Sequence, residues 1–493
     1  MSDLPAYIWH SDNLAQATAG EWHQLNAPLQ STRIITDTRK IVAGDVFLAI
    51  CGENFDAHQF IDTAKQAGAV AVIVERLVDC DIPQLVVKNT KLALGDLGRF
   101  RRLAHPDLTV VALTGSAGKT TTKEMIGSIL GQIAPTLLTR GNLNNDLGVP
   151  MMLLELSDAH RFAVMELGAN HLGEIAYTAE MVKPTVACVL NIGTAHLGEF
   201  GGRENIAKAK SEIFSALGQD GVAVVPFADE FYEFLSEQAS QFTEHQLAFG
   251  EKSISIEQAE LADEDKAALT AQGVTEVLMM GDVFADDVEV FATHSDFELG
   301  VNLQIDDVQS LPVKLPFIGE HNVTNALAAT AACLALGLDL PTIQAGLMSA
   351  VAPKGRLTRL EFGEHILIDD TYNANPTSML AAAKVLESEN NQKILVLGDV
   401  FELGDAADDE HAKLGEQLAQ LELDAVLTVG NHMAYATKAI NEQRAIATHF
   451  ADKDALLAKL QDLLATPSTV LFKGSRGMKM ESLIASLTDN EKQ

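Results

Sequence analysis

Apolar and polar positions follow two rhythms along this chain. Short runs of continuous apolar residues recur, separated by stretches in which apolar residues return every three to four positions. The first rhythm reads as buried strands and the second as amphipathic helices. Their alternation is the signature of α/β folds with largely parallel sheets. Three blocks emerge. The first runs to about residue 90, with strands at 45–50, 69–74 and 84–87 and a helix over Phe60 to Gly68. The second opens on TVVAL (109–113), apolar on both faces, and repeats that type at 162–166, 185–190 and 222–225. In the intervening stretch KTTTKEMIGSIL, residues Met125, Ile126, Ile129 and Leu130 fall on one helical face. From about 251 to 310 the pattern weakens and acidic residues crowd in, which predicts an antiparallel excursion or a solvated surface. An Ala-rich helix over 323–337 leads to the third block near residue 350, with strands at 366–368, 394–397, 425–430 and 469–472.

Composition supports a multidomain globular chain. The 493 residues are 47% apolar and 21% charged, enough to bury several cores without staples. Asp and Glu outnumber Lys and Arg, 68 to 35, for a net charge of −33. That balance argues against nucleic-acid or anionic-membrane binding, yet one local cationic pocket suffices for a phosphorylated ligand. Cys51, Cys80, Cys188 and Cys333 stand far apart, so they read as reduced, mostly buried thiols rather than zinc ligands or disulfides. The first residues lack the basic start and apolar core of a signal peptide, and the apolar stretch from Ala326 to Leu340 is too short to span a bilayer. A cytoplasmic protein with no membrane insertion is expected.

The strongest local signal is Thr114-Gly115-Ser116-Ala117-Gly118-Lys119-Thr120-Thr121, which follows a buried strand and opens a helix. Backbone N–H groups of such a turn face phosphates. Lys119 would reach the β/γ oxygens, and the Thr120 hydroxyl would sit on Mg²⁺. Leu113 occupies the position where the common phosphate-loop pattern has its first Gly. The plain alternative is a glycine turn that only caps a helix. Glu166 ends the strand FAVME, and His196 lies after the next strand, so both fall at the same sheet edge. A carboxylate there can hold a metal directly or through water. Lys210 lies in the helical stretch AKAKSEIF. Taken singly, each has a bland reading: a solvated Glu, a hydrogen-bonded loop His, an exposed helix Lys.

The departure from the common loop is informative. T-G-S-x-G-K-T-T resembles the loop of the ATP-dependent Mur ligases, a family that joins a carboxylate to an amine through an acyl phosphate. The resemblance continues through Lys210-Ser-Glu-Ile-Phe214, whose family counterpart is a lysine carbamylated by CO₂. It implies two Mg²⁺ sites, with Glu166, His196 and carbamylated Lys210 forming the second. The segment 319–329 resembles the family's adenine border, with Asn322 and Asn325 on one face of a helix start; the bland reading is an N-cap and a packing helix. Arg356 in KGRLTRLE would contact the γ-phosphate from a facing domain, and Asp370 would orient ribose or metal waters. Near the N-terminus, TDTRKIVAGDVFLAICGENFDAHQF resembles the family's uridine-binding segment, with Thr38 and Arg39 as nucleotide contacts. There Ala57 replaces a family Gly, which makes any positive-φ requirement doubtful, and a surface ion pair is the bland reading of Arg39.

The phrases DDTYNANPTSM, LGDVFELG and FKGSRGMKME resemble those members that add D-alanyl-D-alanine to UDP-N-acetylmuramoyl-tripeptide. On that resemblance, Asn142 and Asn145 would touch the muramyl-peptide or shape the site near the acyl phosphate, and Asn373, Asn375, Lys473, Ser475 and Arg476 would position the dipeptide. It covers nearly the whole chain and is weakest over 228–310. The expectation is a three-domain α/β protein acting as a monomer: a UDP-binding domain (1–90), a central phosphate-loop ATPase sheet (91–349), and a Rossmann-like domain (350–493) that closes on ATP and dipeptide. Two rivals remain: another amide ligase of the superfamily, such as a folylpolyglutamate synthetase, and an ATP-binding regulator that makes no bond. The uridine-type segment argues against the first, and the set Lys119, Glu166, His196 and Lys210 against the second.

Overall fold

The computed structural model describes residues 4–52, 55–194, 197–256, 266, 270, 274–303 and 308–490. Three sheets organise them. The first has five strands in the order Glu21–His23, Gln84–Val86, Ala71–Val74, Val46–Leu48, Ile34–Ile35, all parallel except the Glu21–His23 edge. The expected strands at 45–50, 69–74 and 84–87 are its centre. The two-residue strand Ile34–Ile35 and the edge strand Glu21–His23 were not predicted, being too short to carry a period.

The second sheet has nine strands. Its middle is Thr109–Thr114, flanked by Phe162–Glu166 and Val186–Val189, both parallel to it. The chain therefore leaves the C-terminal end of Thr109–Thr114 where neighbouring strands continue to opposite sides, the switch point at which α/β sheets bind ligands. Alternation along this strand fills two cores. Val111 and Leu113 pack on one face with Met125, Ile126, Ile129 and Leu130 of the helix Lys119–Gly131, the four residues expected to share a face. Val110 and Ala112 pack on the other. Each fully buried side chain of this size contributes about 2 kcal/mol, which fixes the helix tightly on the strand. The weak stretch is an antiparallel extension: Glu251–Ser255 pairs with Glu276–Met280, and Val283–Val290, Ser295–Asn302 and Val308–Leu315 add an antiparallel edge to the same sheet. The Ala-rich helix spans Glu320–Leu334, starting earlier than expected because the chain turns at Gly319 (φ 98°).

The third sheet has six strands in the order Thr358–Phe362, His365–Asp370, Ser468–Lys473, Gln392–Gly398, Ala425–Val429, Ala447–Phe450, parallel except at its first pair. The helix Thr90–Leu103 joins the first two bodies. Its Ala93, Leu94 and Leu97 enter the first core, while buried Arg102 donates to the carbonyls of His105, Leu108 and Val182 on the second. All four cysteines are free. Only Cys188 and Cys333 are buried, and burial pushes their thiols up; Cys51 and Cys80 are partly exposed, a correction to the expectation of mostly buried thiols. Among the described residues no helix is long and apolar enough to cross a membrane.

Candidate functional site

The loop between Thr114 and Lys119 is held from behind by Asn191, at the end of the neighbouring strand. The Asn191 side chain accepts from the Ala117 N–H at 2.9 Å and donates to the Ala117 carbonyl at 3.1 Å. Its own carbonyl accepts from Ser116 N at 3.2 Å, and the Ser116 hydroxyl accepts from Gly193 N at 2.9 Å. Gly118 has φ 82°, which disfavours any side chain, and a Cβ there would meet Asn325 Oδ1 at 2.2 Å. Leu113, in place of the usual first Gly, is fully buried in the strand, which runs on through Thr114, so the tight turn begins at Gly115. Lys119 folds back onto the loop, donating to the Gly115 carbonyl at 2.6 Å. Burial pushes its ammonium down, the Glu166 carboxylate opposes that, and Arg356 adds to it.

Glu166 ends its strand where predicted, beside the loop, and is 1% exposed. The Thr120 hydroxyl lies 3.5 Å from its Oε2. Its Oε1 has no hydrogen-bond partner among the described residues, and the ammonium of Lys123 stands 3.5 Å from it. Lys123 is itself buried, donating to the Thr139 carbonyl at 2.7 Å and pairing with Glu124. Lys210 is no exposed helix lysine. It is 4% exposed on the helix Arg203–Ser211, with no hydrogen bond or ion pair to its Nζ among the described residues. Burial, with the Lys119 charge added, pushes it well below its usual value. His196 lies outside the described residues. An under-coordinated buried carboxylate oxygen and a hydroxyl close to the same carboxylate fit a hard cation with oxygen ligands.

Asn322 and Asn325 are buried in the first turns of Glu320–Leu334. Asn325 Nδ2 donates to Asn322 Oδ1 at 3.0 Å, and Asn322 Nδ2 to the Ile318 carbonyl at 2.8 Å. Both amides are thus engaged with protein, and Asn325 abuts the loop at Gly118. The third body approaches from the other side. Arg356 stacks over Tyr372 with its guanidinium carbon 4.6 Å from the ring centre, and its buried Nε has no partner among the described residues. Asn375 is buried, caps the helix Pro376–Glu387 and donates to the Ser116 carbonyl at 3.1 Å. Asp370 and Lys473 are paired in the interior. Lys473 Nζ also donates to the Asn373 carbonyl at 3.1 Å, and Asp370 Oδ1 accepts from Leu357 N at 3.3 Å. Ser475 Oγ accepts from Phe401 N at 2.8 Å. Asn373 and Arg476 are exposed, and the Asn373 carboxamide accepts from the Arg476 N–H at 3.3 Å.

 The Mur ligase family catalytic domain matches residues 31–101, the Mur ligase middle domain residues 113–333, and the Mur ligase glutamate ligase domain residues 355–476. The UDP-N-acetylmuramoyl-tripeptide–D-alanyl-D-alanine ligase of Escherichia coli K12 is 40% identical over 94% of this chain and 97% of its own. The chain belongs to the Mur ligase family. A crystal structure of MurF from Acinetobacter baumannii is 47% identical, with a TM-score of 0.88 over 99% of this chain and all of the other. MurF from Thermotoga maritima, solved in complex with ADP, is 27% identical, with a TM-score of 0.76 over 93% of this chain and 97% of the other.

Within this Mur ligase fold, four expected contact residues lie apart from the loop's own hydrogen bonds. Thr38 and Arg39 sit on the short turn Thr38–Lys40 of the first body. Arg39 is exposed and forms a two-point pair with Asp37 at 2.9 Å, the bland reading of that residue. Asn142 is exposed, and Asn145 lies just before the next helix, its Oδ1 accepting from Gly148 N at 2.8 Å. Ala57 lies in a short helical turn with no positive φ, so the family Gly is not required here. Sequence reasoning missed Asn191, Lys123 and His321. Asn191 opens the phrase NIGT directly after a strand, which is a legible place for a clamp. Lys123, in the stretch KTTTKEMIGSIL, carries no local sequence signal of its own. His321 lies beside Asp370 and Lys473, and burial pushes its ring down to about 4.

Proposed function

We propose that this chain uses ATP to join D-alanyl-D-alanine to UDP-N-acetylmuramoyl-tripeptide, giving the pentapeptide, ADP and phosphate in the cytoplasm. The observation that carries the reading is the convergence of charged groups on Lys119, which feels Glu166 from the central sheet and Arg356 from the third body, while buried Lys210 on its helix feels Lys119 in turn. Such a cluster suits a polyphosphate flanked by an oxygen-ligated cation. The high identity to D-alanyl-D-alanine ligases over nearly the full chain supports the choice of substrates.

In this reading the first body, with Thr38 and Arg39, holds the UDP end, the central body (91–349) holds ATP, and the third (350–493) closes over it. The tripeptide's terminal carboxylate oxygen attacks the γ-phosphorus, and ADP leaves. The neutral dipeptide amine then attacks the acyl carbon, gives up one proton as the amide forms, and phosphate is expelled. The loop N–H groups and Lys119 balance charge on the phosphates, a task of positioning and electrostatics. Arg356 takes the γ-phosphate side. Asn322 and Asn325 border the base through the edges left open by their mutual bond. Asn142 and Asn145 flank the muramyl-peptide, and exposed Asn373 and Arg476 face the dipeptide. Buried Asp370, Lys473 and Ser475 hold that surface in shape.

Thr120 and Glu166 would hold one Mg²⁺, and Glu166, His196 and carbamylated Lys210 a second; bound there, magnesium would neutralise phosphate charge. A neutral amine is the form that attacks CO₂, and burial of Lys210 shifts its amine in that direction. Nitrogen bonds to carbon, a proton leaves, and an anionic oxygen ligand results. Incubation with ATP, Mg²⁺, UDP-N-acetylmuramoyl-tripeptide and D-alanyl-D-alanine tests the function, read by product mass. A UDP-N-acetylmuramoyl-pentapeptide is expected. Glutamylation of a folate instead, with no pentapeptide, would overturn it.

A further inference from the structure

Asn375 and Ser116 are 259 residues apart in sequence, yet their side chain and main chain meet at 3.1 Å. Asn375 is only 9% exposed, and its carboxamide has two separate tasks. Its Oδ1 accepts from Ser378 N at 2.8 Å, capping the helix Pro376–Glu387 within the third body. Its Nδ2 crosses to the central body and donates to the carbonyl of Ser116, inside the phosphate loop. That same Ser116 is fixed on its other polar atoms by Asn191 and Gly193. The direction of its carbonyl is therefore a property of the whole loop, not of one free peptide.

A second contact spans the same two bodies. Gly198 N donates to the Glu402 carbonyl at 3.2 Å, and a Cβ on Gly198 would sit 2.5 Å from Gly404 N. The third body thus rests on the central one at a main-chain surface, where Gly198 and Gly404 allow the approach. Of these two hydrogen bonds, the one from Asn375 reaches the loop that would cradle phosphates.

On the reading of that loop as a nucleotide cradle, we propose that the Asn375 carboxamide is a positioning residue that couples nucleotide in the loop to docking of the third body. Nucleotide and D-alanyl-D-alanine would then favour each other's binding. A ligand that fixes the loop with the Ser116 carbonyl outward strengthens the Asn375 contact, and docking of the third body fixes the loop in return. Linkage makes the two effects equal.

Two variants separate the tasks of Asn375. Asn375→Asp and Asn375→Ser both keep a good helix cap. Asp loses the donor and turns an anionic oxygen toward the Ser116 carbonyl; Ser is too short to reach it. Calorimetry would measure D-alanyl-D-alanine affinity with UDP-N-acetylmuramoyl-tripeptide and Mg²⁺ present throughout, with and without a non-hydrolysable ATP analogue. In the unaltered protein the analogue tightens dipeptide binding. In both variants that factor falls about fivefold, the size expected of one neutral hydrogen bond. Retention of the full factor in both variants overturns the inference. So does analogue binding without any coupling in the unaltered protein. Failure of the analogue to bind the unaltered protein overturns the nucleotide reading itself, which distinguishes the two failures.

Discussion

The carboxamide of Asn191 pairs with both main-chain groups of Ala117, accepting from its N–H at 2.9 Å and donating to its carbonyl at 3.1 Å. One side chain thus sets the shape of the phosphate loop from the adjacent strand. Removing it frees two loop groups at once. Asn191→Ala is expected to weaken nucleotide binding at least about tenfold, from roughly 1 kcal/mol per lost hydrogen bond, while binding of the UDP substrate to the first body is unchanged. Titration with a non-hydrolysable nucleotide, then with UDP-N-acetylmuramoyl-tripeptide, checks both halves.

Lys210 supplies a second prediction. Burial holds its amine well below the usual lysine value, with Lys119 adding to the effect. Lys210→Ala should lose activity, and bicarbonate or a short carboxylic acid should restore part of it by replacing the missing anionic oxygens. In the unaltered protein, ¹³C-labelled bicarbonate should yield a carbamate signal that is absent from the variant. An unaffected variant would remove Lys210 from the site.

The buried pair of Lys473 and Asp370 predicts a stability effect. Lys473→Met leaves the Asp370 carboxylate in the interior without its cation, at a cost of about 3 kcal/mol. The double variant Lys473→Met/Asp370→Asn removes both charges and should recover part of that loss. Denaturant unfolding of the three proteins measures it, and a single variant as stable as the parent would contradict the pairing.

His321 predicts the acid side of the stability profile. Burial pushes its ring from the ordinary value near 6.5 down to about 4. Between those values the unfolded chain binds a proton that the folded protein does not. Its contribution is therefore complete above about pH 6.5 and is lost as pH falls toward 4. The thermal midpoint of the parent should drop more between pH 7 and pH 5 than that of His321→Asn. Equal drops would contradict the assignment.

Much of this fold is legible in the sequence because its central strands are buried on both faces. The runs at 109–113 and 162–166 are apolar over Val110 to Leu113 and Phe162 to Met165, and both are strands. The helix after the loop advertised its buried stripe through Met125, Ile126, Ile129 and Leu130. The short edge strands escaped because two or three residues carry no period, as at Ile34–Ile35. Within the candidate site, Thr114 to Thr121 and Glu166 were visible because strand-end chemistry has a local signature. Lys123 and His321 were not, because their significance lies in burial against Glu166, Asp370 and Lys473, which only the fold creates. Conversely, Lys473 and Ser475 looked like free donors in sequence, and the fold spends both on internal bonds.

Phosphate release is the most direct test of the central claim. Purified protein with ATP and Mg²⁺ would be assayed with UDP-N-acetylmuramoyl-tripeptide and D-alanyl-D-alanine each present or omitted, beside Lys119→Ala. Release that needs both substrates, and that Lys119→Ala abolishes while still binding the UDP substrate, is the predicted result. Release indifferent to both substrates, or undiminished in Lys119→Ala, would contradict the account.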